Sequence, residues 1–230
     1  MQYDFPSLIL FEDNHLLVVN KPSGLPSQGD NTGDLHLLDV AKEYIKKQYQ
    51  KPGEVFCGLI HRIDRPVSGI VVLAKTSKAL ARMNEAFKAR DVQKTYWAVV
   101  QNLPQPSAGK LEHWLWRNTK KNVTRAFDNE RKDTQKAELE YSTLDSHQGY
   151  HLLEIKPITG RTHQIRSQLS AIQCPIMGDV KYGFQQANED RSIHLHARSL
   201  SFAHPTKGER IEIKAQVPKT GIWMAFEKRQ

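Results

Sequence analysis

Cysteine is scarce in this sequence, and what little there is stands isolated. Cys57 and Cys174 lie far apart with no CxxC spacing, which excludes a disulfide framework and a zinc knuckle and suits a reducing compartment. Long apolar runs are missing too: no stretch approaches the ~20 uninterrupted apolar residues that a membrane helix needs. The opening MQYDFPSLILFEDNHLL has no basic segment ahead of an apolar run, so no export signal is expected. The patterns GxxxxGKS/T, GxGxxG and HExxH are absent, and with them the commonest short routes to a phosphate cradle or a catalytic zinc. There is no internal repeat and no low-complexity linker. These absences predict a cytoplasmic protein with no membrane association and no cofactor motif.

Positive charge, by contrast, is in excess. Thirty-three Lys and Arg against 25 Asp and Glu leave a formal +8 and a pI near 9.4 in a chain of 230 residues. A hydrophobic share of 39% suffices to bury one large core, so residues 1–230 are expected to form a single domain. The excess favours a polyanionic partner, although a merely soluble basic surface accounts for it as well. It is concentrated between Arg117 and Lys136, where seven Lys and Arg face three Asp and Glu. That arm is either a solvated, flexible hairpin or a grip on nucleic acid through Lys120, Lys121 and Arg125.

Apolar periodicity places the elements. Leu8 to Phe11 and Leu16 to Val19 read as strands around the acidic turn Glu12-Asp13-Asn14, followed by a Pro- and Gly-rich loop from Lys21 to Gly33. Leu38, Ala41, Ile45 and Tyr49 recur at helical spacing, as do Leu80, Met83 and Phe87 in a helix from Ser77 to Ala89 capped by Thr76 or Ser77. Strands are expected at both ends of Cys57 to Ala74, at Lys94 to Val100, Leu111 to Trp116, Ala137 to Leu144, Tyr150 to Ile155, His194 to Ala203 and Arg210 to Val217. Helices are expected over Thr162 to Ala171 and Thr220 to Lys228. Trp114 and Trp116 suit packing better than stacking on a ligand. The interleaving of hairpin strands with a few helices predicts an α+β fold with a mixed, largely antiparallel sheet.

Three constellations could carry chemistry. HRIDRPVSG, His61 to Gly69, crowds four ionisable groups into five residues. Arg62 and Arg65 would keep Asp64 ionised, which suits a nucleophile, although a salt-bridged surface turn has the same look. GRTHQIR, Gly160 to Arg166, sets Arg161, His163 and Arg166 at a helix start, where an anion is welcome. His163 and Arg166, three apart, would share one side of that helix. His61, Asp64, His163, His194 and His196 could be gathered into a metal site, but HxxD and HxH are short and common patterns.

In order and combined length these segments resemble the RluA family of pseudouridine synthases over almost the whole chain. LLVVNKPSGLP (Leu16 to Pro26), HRIDRPVSGIVVLAK (His61 to Lys75), KTYWAVV (Lys94 to Val100), GRTHQIR and LHARSLSFAHP (Leu195 to Pro205) carry the likeness. Val67 stands where the family commonly has Thr, and Pro26-Ser27-Gln28 where it has His-Pro. Many members begin with a small S4 RNA-binding domain, for which too few residues precede Leu16. The resemblance implies the pseudouridine synthase fold and the isomerisation of chosen uridines in structured ribosomal or transfer RNA by a monomer without metal or other cofactor. It implies Asp64 as the catalytic carboxylate, Arg166 as its ionic partner and Tyr96 packed on the uracil. Arg62 would fill the space of a flipped-out base, Ile165 would line the uracil pocket, and Arg161, His163, Lys120, Lys121 and Arg125 would meet RNA. Two rivals remain open: an RNA-binding module that keeps the fold without catalysis, and a metallohydrolase.

Overall fold

The computed structural model describes residues 4–29 and 33–229. The first three residues of the opening segment, and 30–32 of the loop expected after Lys21, lie outside the described residues. In chain order the elements are β1 (Ile9–Glu12), β2 (Leu16–Lys21), α1 (Leu37–Gln48), β3 (Gly58–Leu59), β4 (Ser68–Ala74), α2 (Ser77–Lys88), β5 (Val92–Val100), β6 (Ala108–Asn118), β7 (Val123–Phe127), β8 (Gln135–His147), β9 (Tyr150–Pro157), α3 (Gln164–Ala171), β10 (Leu195–Ala203), β11 (Arg210–Lys214) and α4 (Gly221–Glu227). An α+β fold with a largely antiparallel sheet is what the alternation of hairpins and helices predicts. Where a single domain is expected over 1–230, the chain packs as two compact units. One runs up to Gln93 and takes in Ala197–Gln216; the other is Lys94–His196 with the segment from Val217 onward.

In the first unit β1 and β2 form an antiparallel hairpin whose turn is closed by Asp13. Its Oδ1 accepts from the backbone N–H of His15 and of Leu16, both at 2.8 Å, the turn chemistry for which a short acidic side chain is suited. β2 pairs with β4, β3 pairs with β4, and β10 lies beside β4 and carries β11 on its other side. Leu16 to Val19 are wholly buried, as is every residue of β4. These strands are therefore runs of branched side chains and do not alternate. Gly69 explains itself: at φ +114° a Cβ would fall 2.8 Å from the Ala197 carbonyl carbon, so only glycine permits this approach of β4 to β10. α1 buries Leu37, Ala41 and Ile45. Tyr49 ends that helix 46% exposed, departing from the expected apolar stripe because its hydroxyl reaches Glu12. α2 starts where Thr76 Oγ1 accepts from Ala79 N at 3.2 Å.

In the second unit the order is β5-β9-β8-β6-β7, each pair antiparallel. Register assigns the faces. Trp97, Val99 and Leu152 look one way and pack with Val217, Trp223 and Phe226, the last two from α4. Tyr96, Ile155, Tyr141, Leu139 and Leu111 look the other way, toward α3. Gln168 of that helix donates from Nε2 to Leu111 O and Ala137 O, both at 3.3 Å. The basic arm, for which the sequence leaves open both a solvated, flexible hairpin and a grip on nucleic acid, is more structured than its composition suggests. β7 pairs with β6 over Val123 to Phe127 and buries Thr124, whose N–H donates to Tyr182 Oη at 2.8 Å and whose Oγ1 donates to Thr162 O at 2.9 Å.

Candidate active site

Asp64 sits in the first unit, in a loop that hydrogen bonds stitch to the end of β2 and the segment following it. Lys21 Nζ donates to Leu25 O at 2.8 Å, Pro22 O at 2.9 Å and Arg65 O at 3.4 Å. Gly24 N donates to Arg65 O at 2.8 Å, Arg65 Nε returns a bond to Gly24 O at 3.0 Å, and Ser27 Oγ donates to Ile63 O at 2.9 Å. The residues on either side of Asp64 are thus both pinned, while Asp64 itself is half-buried and Arg62 exposed. Lys21 is wholly buried. Burial pushes its amine down to about 7 against the upward pull of the Asp64 carboxylate. Arg65, next to Asp64, places Nη1 2.6 Å from Asp34 Oδ2. Asp34 lies too far off in sequence for local crowding to reveal the pairing. Val67 is buried, where a hydroxyl would need a partner.

The second unit holds Tyr96, Arg161, His163, Ile165 and Arg166, together with Lys120, Lys121 and Arg125 of the arm. Arg166 is 5% exposed and Asp179 1%; Nε lies 2.7 Å from Oδ2 and Nη2 2.8 Å from Oδ1, a bidentate pair of the kind Arg favours. The Arg166 guanidinium also lies over the Tyr182 ring at 4.8 Å. His163 meets the same tyrosine, with Nδ1 2.8 Å from its hydroxyl. The prediction that these two share a side is therefore met, with Tyr182 between them. α3 starts at Gln164, two residues later than expected, because His163 adopts the left-handed conformation at φ 53°. Gln164 Oε1 accepts from Arg161 N at 3.0 Å and from Thr159 Oγ1 at 2.7 Å. Ile165 to Leu169 are all buried, so this helix hides polar side chains on every face, unlike the single apolar face the periodicity predicts.

Tyr96 is partly buried on the sheet face that carries α3, and Lys94, two residues earlier on that face, places Nζ 3.7 Å from where a Gly160 Cβ would be. Lys120, Lys121 and Arg125 are exposed, and Arg125 stands opposite Trp116 across β6 and β7. Trp114 and Trp116 are half-buried on the face turned away from α3. The histidines have other employment. His61 Nε2 accepts from Val72 N at 3.2 Å, and His194 Nδ1 lies 3.1 Å from Asn188 Nδ2. Among the described residues no cluster of three or more His, Cys, Asp or Glu could hold a metal ion, and no helix is long and apolar enough to cross a membrane. Lys21, Asp179 and Tyr182 escaped sequence reasoning. The first was visible as a lysine ending an apolar strand, whereas the other two carry no local signal.

Comparison with known proteins bears on the same segments. Residues 15–171 match the family model described as RNA pseudouridylate synthase. The chain is 34% identical over 221 residues to an uncharacterised RNA pseudouridine synthase of Mycoplasma pneumoniae, covering 95% of this chain and 69% of that protein. It is 35% identical over 214 residues to ribosomal large subunit pseudouridine synthase C of Buchnera aphidicola, covering 90% and 66% respectively. The chain thus spans about two thirds of the length of these relatives. The solved structure of human RNA pseudouridylate synthase domain containing 4 superposes with a TM-score of 0.81 at 29% identity, over 98% of this chain and 94% of that one. With the expected motifs in order and the fold shared end to end, the chain belongs to the RNA pseudouridylate synthase family, enzymes that isomerise uridine in RNA.

Proposed function

We infer that this chain converts selected uridines of structured ribosomal or transfer RNA to pseudouridine, with Asp64 as the catalytic carboxylate. The observation that carries the assignment is the pinning of Ile63 and Arg65 by Ser27, Gly24 and Lys21. A surface turn has no need of a wholly buried lysine bonded to its backbone, whereas a carboxylate that must meet a reacting sugar to within a fraction of an ångström does. The reaction breaks the N1–C1′ bond, turns the uracil and joins C5 to C1′; the C5 proton departs and N1 ends protonated. Nothing is oxidised or consumed, so the chemistry calls for no cofactor. Asp64 initiates cleavage as nucleophile or base, Tyr96 packs its ring on the uracil, and Arg166, fixed by Asp179, supplies a positive charge that cannot drift. Arg62, exposed beside Asp64, fills the gap left by the flipped base. Relatives named for the large ribosomal subunit favour ribosomal RNA. The enzyme is taken to act as a cytoplasmic monomer.

The test is tritium release from C5-labelled uridine in RNA by the wild type and by Asp64→Asn, a change that keeps the shape and removes the charge. Wild-type release that survives a chelator and vanishes in a folded, RNA-binding Asp64→Asn protein is the expected result. Turnover by the variant would overturn the assignment of Asp64. RNA binding by the wild type with no release would leave an RNA-binding module.

A further inference from the structure

Three lysines on the second unit's sheet have carboxylates. Lys110 lies 2.7 Å from Glu138, Lys136 3.0 Å from Glu112 and Lys156 2.7 Å from Glu154. Arg117 and Arg161 differ. Arg117 Nη1 donates to Thr162 Oγ1 at 3.4 Å and Arg161 Nε to Lys136 O at 3.3 Å, and neither guanidinium has an ion pair among the described residues. Both line one cavity of about 300 Å³, with Leu115, Gln135, Thr162 and Asp133 around them. Asp133 forms no ion pair with either arginine. The cavity is on the α3 side of the sheet, because Leu115 and Arg117 share the face of Leu111. Gly160 adjoins Arg161, and Lys94 Nζ lies close to it on that side.

Two guanidiniums on one cavity repel each other and leave most of their forked donors unused. A singly charged tetrahedral oxyanion relieves both conditions, since a fork of N–H groups matches two phosphate oxygens. The threonine hydroxyl and the glutamine amide at the rim add neutral donors. The volume is at the lower end for a ligand pocket, enough for a phosphate and its sugar. Tyr96 is on the same side of the sheet. We propose that the Arg117–Arg161 cavity is a subsite for one backbone phosphodiester of the RNA substrate, fixing where the strand lies without reading its bases. The proposal rests on the RNA reading of the preceding section.

The experiment is a double-mutant cycle between protein and RNA. Synthetic uridine-bearing stem–loops, each with one phosphodiester replaced by a neutral methylphosphonate, are titrated with the wild type and with Arg117→Gln/Arg161→Gln. At one position the replacement should weaken wild-type binding about tenfold or more and leave the variant's binding unchanged. The variant's slope of log affinity against log salt should fall by about 0.7–0.9, the loss of one phosphate contact. Lys88→Gln, an exposed charge on α2, should leave the slope and the position-specific loss as they are; an equal effect from it would overturn the proposal. So would losses that multiply independently at every RNA position. A cavity that takes inorganic phosphate at millimolar concentration, with no RNA position coupled to the two arginines, would belong to a free anion and also refute it. Should the glutamine pair fail to fold, Arg117→Lys/Arg161→Lys keeps the charge without the fork, and the position-specific loss should still shrink. Tritium release by the wild type on the same RNA is read separately, so a failure of the synthase assignment is distinguishable from a failure of the subsite.

Discussion

Lys21 is an ionisable side chain spent on holding backbone, with three carbonyls around its nitrogen and no exposed surface. Its amine stands at about 7 in the folded chain against an ordinary 10.5, so between those values the unfolded chain binds the extra proton. Stability from this group therefore rises with pH across that window, and the cost of burying the ammonium is present in full below it. Lys21→Met removes that component while orphaning three carbonyls at about 1–3 kcal/mol each. The wild type's advantage in urea unfolding should grow from pH 7 to about pH 9.5; an advantage that stays level would show that Lys21 does not titrate there. Asp179→Asn makes the opposite experiment, leaving the Arg166 charge buried with a weakened partner. It should cost about 3–5 kcal/mol by the same measurement, and a loss under about 1 kcal/mol would mean that Arg166 is satisfied without Asp179. At this scale the sequence was legible where chemistry is local. The crowding of His61 to Arg65 marked a loop that the structure holds firmly, and His163 and Arg166 meet the same tyrosine even though His163 stands outside the helix whose spacing paired them. Asp34 for Arg65 and Asp179 for Arg166 were not legible, since a carboxylate that meets its arginine through the fold leaves no trace in spacing.

At the scale of elements, periodicity located nearly every helix and strand, because each buries one stripe or one run. It missed β7, and although it located α3 to within two residues it did not report that helix's buried polar side chains, for related reasons. β7 is short, polar and tied down by Thr124, and α3 buries Gln164, Arg166, Ser167 and Gln168 through hydrogen bonds, which no hydrophobic pattern reports. The arm from Lys120 to Lys132 is therefore expected to matter in two ways. Deleting it should lower both RNA affinity and melting temperature, because β7 goes with it. Lys120→Gln, Lys121→Gln and Arg125→Gln combined should lower affinity at an unchanged melting temperature. If the triple variant melts early, those side chains hold the arm together and are not merely its charge. Gly69 offers a sharper element-scale test. Gly69→Ala forces a Cβ into the Ala197 backbone and should cost about 2–4 kcal/mol, whereas Thr76→Ala, which removes only a cap, should cost about 1 kcal/mol. Denaturation curves that reverse that order would mean that β4 and β10 can part cheaply.

For the whole molecule, the formal +8 sets how binding responds to salt. With a basic arm, Arg161 and Arg117 meeting phosphates, log affinity for RNA should fall steeply and linearly with log salt; a nearly flat response would mean that contacts other than charge hold the RNA. Composition leads to that prediction but gives no sign of the division of the chain into two units, because each unit is closed by segments remote in sequence. The first takes Ala197–Gln216 and the second the stretch from Val217 onward. That arrangement has a consequence during synthesis. A chain emerging from the ribosome exposes β2 and β4, the most completely buried strands of the folded molecule, long before β10 arrives to lie beside β4. Until then the amino-terminal half has an open strand edge and cannot complete its own core. Chaperone dependence should therefore track how long translation lingers between Gln93 and Ala197. A message recoded to slow that interval would yield more aggregated enzyme from an unchanged amino-acid sequence.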